Sequence, residues 1–332
     1  MPAPWMGPAE REPEMDSRLA SWKVVLVALA LSTGVGCGDD DAPPITDTDA
    51  GMGGSDLPVL STGTMDMPAS GTPDYACLGS RVQPTAGEPV ASTFELRDFE
   101  TDAPVANARV WLFPDNAVRD ACDGTCTEFM TDASGNAAVN LPADGWYAYR
   151  VFPRTGATAT MRVVDSMQYN EPAPSEAGRS VTGNSVSEGT LGLIPAVLGV
   201  RRQPGTALLA GTVVDCDETP VYGARVRAFD GDTEIEMGTE VTSPQYRYFN
   251  GDSFPSDTGT FTHADGLYVG VQIPVPAAAS DRLRIEAWGR PTADGPEERI
   301  GCEAVRVLAD AVTIVNLGPE RSDYEAGHPC AE

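Results

Sequence analysis

Lysine is all but missing from this 332-residue chain: Lys23 is the only one, and beyond it every strongly basic side chain is arginine. A lysine–asparagine isopeptide cross-link is therefore excluded from whatever folds downstream. Positive charge is short overall, with 22 Lys and Arg against 49 Asp and Glu and a formal net charge of −27. That balance excludes nucleic-acid polyphosphate as a partner and electrostatic docking on anionic lipid. The acidic residues are spread along the chain, which is the pattern of a well-solvated surface. Histidine is scarcer still. His263 and His328 are the two present, and neither stands in the H-x-x-E pair that a zinc peptidase needs. There is no G-x-S-x-G elbow, no phosphate loop after a strand and no C-x-x-C pair. The primary reading is therefore a protein without catalytic residues, metal or cofactor.

Long apolar runs are missing too. The run Val24–Leu31 (VVLVALAL) is too short to span a bilayer and fits the apolar core of an export signal. A start at Met15 would give it the charged leader MDSRLASWK. The run ends in GVGCGDDD, small residues leading to Cys37 with acid after it. Val35, Gly36 and Cys37 resemble the lipobox of bacterial lipoproteins, with Gly34 where a large aliphatic residue is usual. The resemblance implies that residues 1–37 are a signal segment and that Cys37 carries the lipid. It also implies an extracytoplasmic protein anchored to a bacterial membrane, in the periplasm or at the cell surface. Acyl chains contribute about 0.8 kcal/mol per buried methylene to such an anchor.

With Cys37 set aside, six cysteines remain, which pair fully in an oxidising compartment. Cys122 and Cys126 enclose DGT with no further Cys or His nearby, which reads as a small local disulfide rather than a zinc site. Cys216 and Cys302 lie on the first and a late strand of one domain, and their pairing is expected. Cys77 and Cys330 flank the folded region, and their pairing would tie the tail 321–332 back. Six cysteines allow fifteen connectivities, and sequence does not choose among them.

Residues 38–85 are rich in Asp, Gly, Ser, Thr, Pro and Met without hydrophobic periodicity, and read as a disordered acidic tether. Beyond it the chain repeats itself. APVANARVWLF (103–113) returns as TPVYGARVRAF (219–229), 116 positions later. Each copy opens with Pro104 or Pro220 and turns at Asn107 or Gly223, the residue types that best tolerate positive φ. Period-two alternation follows: a turn feeding a half-buried strand. TDASGNAAVNL (131–141) returns as THADGLYVGVQI (262–273), now 131 positions later, so the second copy carries about 15 extra residues. Strands are expected at 91–98, 108–113, 136–141, 146–152 and 159–164, with a first sandwich domain over 86–200. The second, over 201–320, has strands at 208–216, 262–273, 282–288, 302–308 and 311–317. Residues 166–189 read as loop, and 190–199 as one short helix between the domains, with Ser187 or Thr190 as cap, Pro195 as a kink and Gly199 as its end. The fold class is all-β, two tandem antiparallel sandwiches of Greek-key type.

The second repeat, AGTVVDCDETPVYGARVRAF, resembles the carboxypeptidase regulatory-like or transthyretin-like β-sandwich. Gly211, Val213, Asp215, Pro220, Val221, Gly223, Ala224 and Val226 match its first motif, and Thr262 and Gly266 its second. The first repeat keeps Pro104, Val105, Ala108 and Val110. Such modules record a fold rather than an activity. The implied role is a lipid-anchored envelope protein with binding or structural modules. An alternative follows from a similar opening strand in intradiol dioxygenases, which bind iron through two tyrosines and two histidines. Tyr246, Tyr248 and His263 share one repeat here, with Asp265 where the family has its second histidine of an H-x-H.

The extra segment concentrates Tyr246, Tyr248, Phe249, Asn250 and Asp252 in what reads as a loop. Rings supply flat apolar area and the amide and carboxylate supply orientation, so this is the candidate contact for a glycan or an envelope protein. The competing reading is that its aromatics fold back and cover a sheet edge.

Overall fold

The computed structural model describes residues 57–63, 69–154, 162–250, 255–256, 258–278 and 282–331. Cys37, the signal segment and the first part of the expected tether lie outside them, as does the first half of the expected strand 159–164.

Among the described residues the chain is all-β with one helix. A short strand β1 (Ser61–Thr62) precedes the repeats. The first repeat holds β2 (Pro89–Asp98), β3 (Arg109–Phe113), β4 (Thr127–Met130), β5 (Asn136–Pro142), β6 (Trp146–Val151), β7 (Ser166–Pro172) and β8 (Ser180–Ser185). Helix α1 (Glu188–Val197) follows. The second repeat holds β9 (Ala207–Thr212), β10 (Val221–Tyr222), β11 (Arg225–Asp230), β12 (Thr233–Glu234), β13 (Gln245–Phe249), β14 (Pro255–Ser256), β15 (Leu267–Ile273), β16 (Leu283–Gly289), β17 (Glu298–Val305) and β18 (Val312–Val315).

The sequence repeat is a repeat of hydrogen bonds. Thr131 Oγ1 accepts the Ala108 N–H at 2.9 Å and donates to the Val105 carbonyl at 2.7 Å. Thr262 Oγ1 accepts from Ala224 at 3.0 Å and donates to Val221 at 2.6 Å. Asn107 at φ 51° and Gly223 at φ 91° turn the chain between those two bonds. Gly266, at φ +65°, sits where a Cβ would lie 2.5 Å from the Val213 carbonyl, and Gly135 makes the same approach to Leu96. Backbone bonds match as well: Leu96 to Gly135 and Val105 to Leu96 in one copy, Val213 to Gly266 and Val221 to Val213 in the other.

Each repeat builds the same two sheets. β4-β3-β6-β7 faces β5-β2-β8 in the first, and β12-β11-β16-β17 faces β15-β9-β18 in the second. The repeats are not separate beads. β18 pairs in parallel with β9 on one side and with β7 of the first repeat on the other, fusing a sheet from each copy into one of nine strands. Parallel pairing recurs between β2 and β8, so the sheets are mixed rather than purely antiparallel. The fusion explains why β3 (RVWLF) and β6 (WYAYRV) are apolar on both faces. Val110, Leu112, Tyr147 and Tyr149 fill the first repeat's core, while Trp111, Phe113 and Ala148 join the second repeat's.

Within 166–189, expected as loop, residues 166–172 and 180–185 form β7 and β8. Their polar side chains are buried because each finds a partner: Tyr149 Oη donates to Gln168 and accepts from the Asn184 N–H. Helix α1 starts two residues before the expected 190, with Ser187 Oγ accepting the Thr190 N–H at 3.1 Å. Its Leu191 and Leu198 pack between Phe99 and Val186 of the first repeat and Phe249, Leu267 and Val269 of the second.

The described part of the expected tether is docked, not free. Leu57 and Leu60 are buried, and β1 pairs with β10. The Asp74 N–H donates to Asp215 Oδ2 and the Cys216 N–H to the Asp74 carbonyl, both at 2.9 Å. That laces the segment to the Asp215 turn and sets Cys77 beside Cys216, Cα atoms 6.0 Å apart, in a disulfide. The expected pairs Cys216–Cys302 and Cys77–Cys330 are thereby corrected. Cys302 bonds Cys330 instead, because the tail runs beside β17: Glu320 N–H donates to Ile300 and Tyr324 Oη to the Cys302 carbonyl. The tail thus covers the free edge of β17. Cys122 and Cys126 pair with each other.

Candidate functional site

The segment singled out for contact is a hairpin, not a loop. β13 lies antiparallel along the outer edge of β15, with Gln245 opposite Val271, Tyr246 opposite Gly270 and Arg247 opposite Val269. Alternation then sends Tyr246 and Tyr248 into the sandwich and Phe249 to the other face, under α1. All three are buried, at 9%, 3% and 8% exposure. Their rings therefore close the mouth of the second sandwich and offer no surface, which corrects the expected contact role. Asn250 is exposed, and Asp252 lies outside the described residues.

The two phenols differ. Tyr248 Oη accepts the Val226 N–H at 2.9 Å, while Tyr246 Oη is buried without a hydrogen-bond partner. Burial pushes the Tyr248 phenol up to about 12, its bond to Val226 pulling the other way. Burial holds Tyr246 well above the usual phenol range, with Tyr248 and Glu234 adding to it. The Tyr248 hydroxyl is bonded to a strand N–H, and both rings pack in the core of the second sandwich. His263 packs edge-on against Tyr222, ring centroids 5.7 Å apart, and Asp265 Oδ1 accepts the Leu267 N–H. Among the described residues no three His, Cys, Asp or Glu side chains gather as a metal site.

The first repeat lacks the hairpin, and its mouth stays open. Between β4 and β5 runs a shallow groove of about 370 Å³. Phe129, Met130, Ala137 and Ala138 line it, with Asp132 and Asn136 at one end. Met130 is 55% exposed. Sequence reading missed this groove. Its one legible signal was β5 itself, NAAVNLP, an uncharged stretch in a strongly acidic chain.

No family model matches the chain, and no curated protein does. Among solved structures it is similar to the Bacillus anthracis TIE protein, at 11% identity and TM-score 0.19, over 70% of this chain and 34% of that one. The chain thus spans about a third of that protein's length. It is also similar to shaft pilin SpaA from Lactobacillus rhamnosus GG, at 10% identity and TM-score 0.21, over 70% of this chain and 98% of the pilin. An intradiol ring-cleavage dioxygenase from Tetranychus urticae matches at 15% identity and TM-score 0.18, over 33% of this chain and 64% of that one. Overlaps this slight assign no function. The strands and the disulfides define the class: an all-β protein of two fused sandwich repeats, with the described segment on each side of the repeats fastened by a disulfide.

Proposed function

We propose that the chain is a non-enzymatic, lipid-anchored protein of the bacterial cell envelope, in which two transthyretin-like sandwiches, residues 86–200 and 201–320, form a rigid binding or structural body. The observation that carries this reading is the pair of disulfides Cys77–Cys216 and Cys302–Cys330, which clamp both ends of the folded part to the second repeat. Such bonds persist in oxidising compartments outside the cytosol. The lipobox-like GVGC at Cys37 agrees with that address. No helix among the described residues is long and apolar enough to cross a membrane. In this reading a lipid on Cys37 is the attachment. Partners are envelope proteins or glycans, not nucleic acid.

Fractionation of cells carrying Cys37→Ser tests the anchor. Release of the protein from membranes is expected, and undiminished membrane association would refute it. The dioxygenase alternative rests on Tyr246, Tyr248, His263 and Asp265, and metal analysis with a visible spectrum separates it. A non-enzymatic body should carry neither stoichiometric iron nor a tyrosinate band.

A further inference from the structure

The internal repeat shows what is missing from the first sandwich. Aligning Gly135 with Gly266 places Ala137 at the position of Tyr268, Ala138 at Val269, Val139 at Gly270 and Asn140 at Val271. In the second repeat that edge is covered: Val269 and Val271 pair with Arg247 and Gln245 of β13. In the first, β5 pairs with β2 and with no other strand among the described residues. The Leu96 N–H donates to the Gly135 carbonyl, so ladder alternation turns residues 137, 139 and 141 toward β2 and leaves the backbone groups of Ala138 and Asn140 facing away.

Nothing blunts this edge. Residues 136–142 carry no charge and no proline before Pro142, whereas exposed edges in soluble proteins ordinarily carry charge or proline as protection. A groove of mixed lining lies beside it, open to solvent, with Phe129, Met130, Ala137 and Ala138 as its apolar part and Thr93, Asp132 and Asn136 as its polar part. In the second sandwich the corresponding mouth is filled by Tyr246 and Tyr248.

The geometry points to β5 as a strand-acceptor site, which takes an extended segment of a partner protein carrying large apolar or aromatic side chains at alternate positions. The segment adds antiparallel to β5 as β13 adds to β15, bonding to Ala138 and Asn140 and seating its alternate side chains in the groove. The chain itself offers no such segment in residues 38–56, which are acidic and have no two large apolar residues two positions apart. A second copy fits poorly, because its own β5 would bring Ala137 and Val139, too small to fill the groove. The site rests on the binding role proposed above and is independent of the lipid at Cys37.

The probe is a synthetic peptide of residues 243–251, SPQYRYFNG, added to the intact oxidised chain, whose β15 edge is already occupied by β13. Saturable binding is expected, with amide exchange slowed across 136–142. Ala138→Pro, which removes an N–H facing away from β2, should weaken binding by roughly tenfold or more at an unchanged melting temperature. Asn140→Lys should do the same if the proline variant folds poorly. Absence of binding, equal binding to both variants, or protection appearing at β15 instead would overturn the site. A concentration-dependent dimer that Ala138→Pro abolishes would give the edge to a second copy and overturn it equally. Membrane release by Cys37→Ser is read separately, so failure of one does not mimic failure of the other.

Discussion

The hydroxyl of Tyr248 stands in for a strand: it accepts the N–H of Val226 at 2.9 Å. The equivalent residue in the first repeat, Val110, pairs instead with Phe129 of β4. The insertion diverts the chain onto the other sheet, and the phenol meets a backbone donor that would otherwise be orphaned. Tyr248→Phe should therefore cost about 1–3 kcal/mol, the penalty for an unsatisfied buried N–H. Tyr246→Phe should be neutral or slightly stabilising, because its own hydroxyl is buried without a partner. Denaturant titration of the two variants checks the difference. Equal effects would remove the distinction drawn between these neighbours.

Connectivity makes the second prediction. Cys77–Cys216 spans 139 residues, Cys302–Cys330 spans 28 and Cys122–Cys126 only 4. Loop-closure entropy ranks their removal by paired Cys→Ser at roughly 5, 3.5 and 2 kcal/mol. Mass spectrometry of a non-reduced digest should find these three pairs. A Cys216–Cys302 peptide would show that segment 69–85 is not laced to the Asp215 turn.

Local signals and long-range ones differed in what the sequence made visible. Pro104, Asn107 and Thr131, with their counterparts Pro220, Gly223 and Thr262, announced the repeat because each residue type is demanded by a turn or a buried bond within that copy. The strands next to them were legible for the same reason. β7 and β8 were not, because SMQYNEP and SVTGNS are polar and their burial depends on partners, Tyr149 and Asn116, that lie far off in sequence. β13 was read as a loop because Pro244 and Asn250 bracket it and both of its faces are aromatic. Its rings looked like a contact surface only while the edge of β15 beneath them was invisible. The β7–β18 pairing that fuses the sheets leaves no local mark at all.

The paired threonines give the third prediction. Thr131 and Thr262 are buried, and each hydroxyl satisfies one N–H and one carbonyl of its turn. Valine has the same shape but orphans both groups, so either Thr→Val change should cost about 2–4 kcal/mol. Serine keeps the oxygen and should recover most of that loss. A valine variant as stable as the serine one, measured by thermal melts, would mean that the hydroxyl bonds do not hold the turn.

The C-terminal tail should respond to acid. His328 stacks on Tyr324 with ring centroids 4.3 Å apart, and its Nδ1 accepts the Cys330 N–H. Burial first, then the nearby Arg282 and Arg321 guanidinium groups, lower its pKa to about 4, with Asp323 pulling weakly the other way. The unfolded chain takes up that proton from about pH 6.5 downward while the folded chain does not. The contribution of His328 is therefore complete above about pH 6.5 and is lost as pH falls toward 4. Buried Glu303 on β17, whose carboxyl is raised chiefly by desolvation, works in the opposite sense, favouring the fold as it protonates. The variant His328→Gln isolates the first effect. Between pH 6.5 and 4 it should lose less stability than the parent, and the protection of amides across 321–331, taken relative to their intrinsic exchange rates at each pH, should fall with acid in the parent alone. If the variant and parent lose stability in parallel, the imidazole is not what acid acts on, and the tail is held by Cys302–Cys330 and the Tyr324 hydroxyl without it.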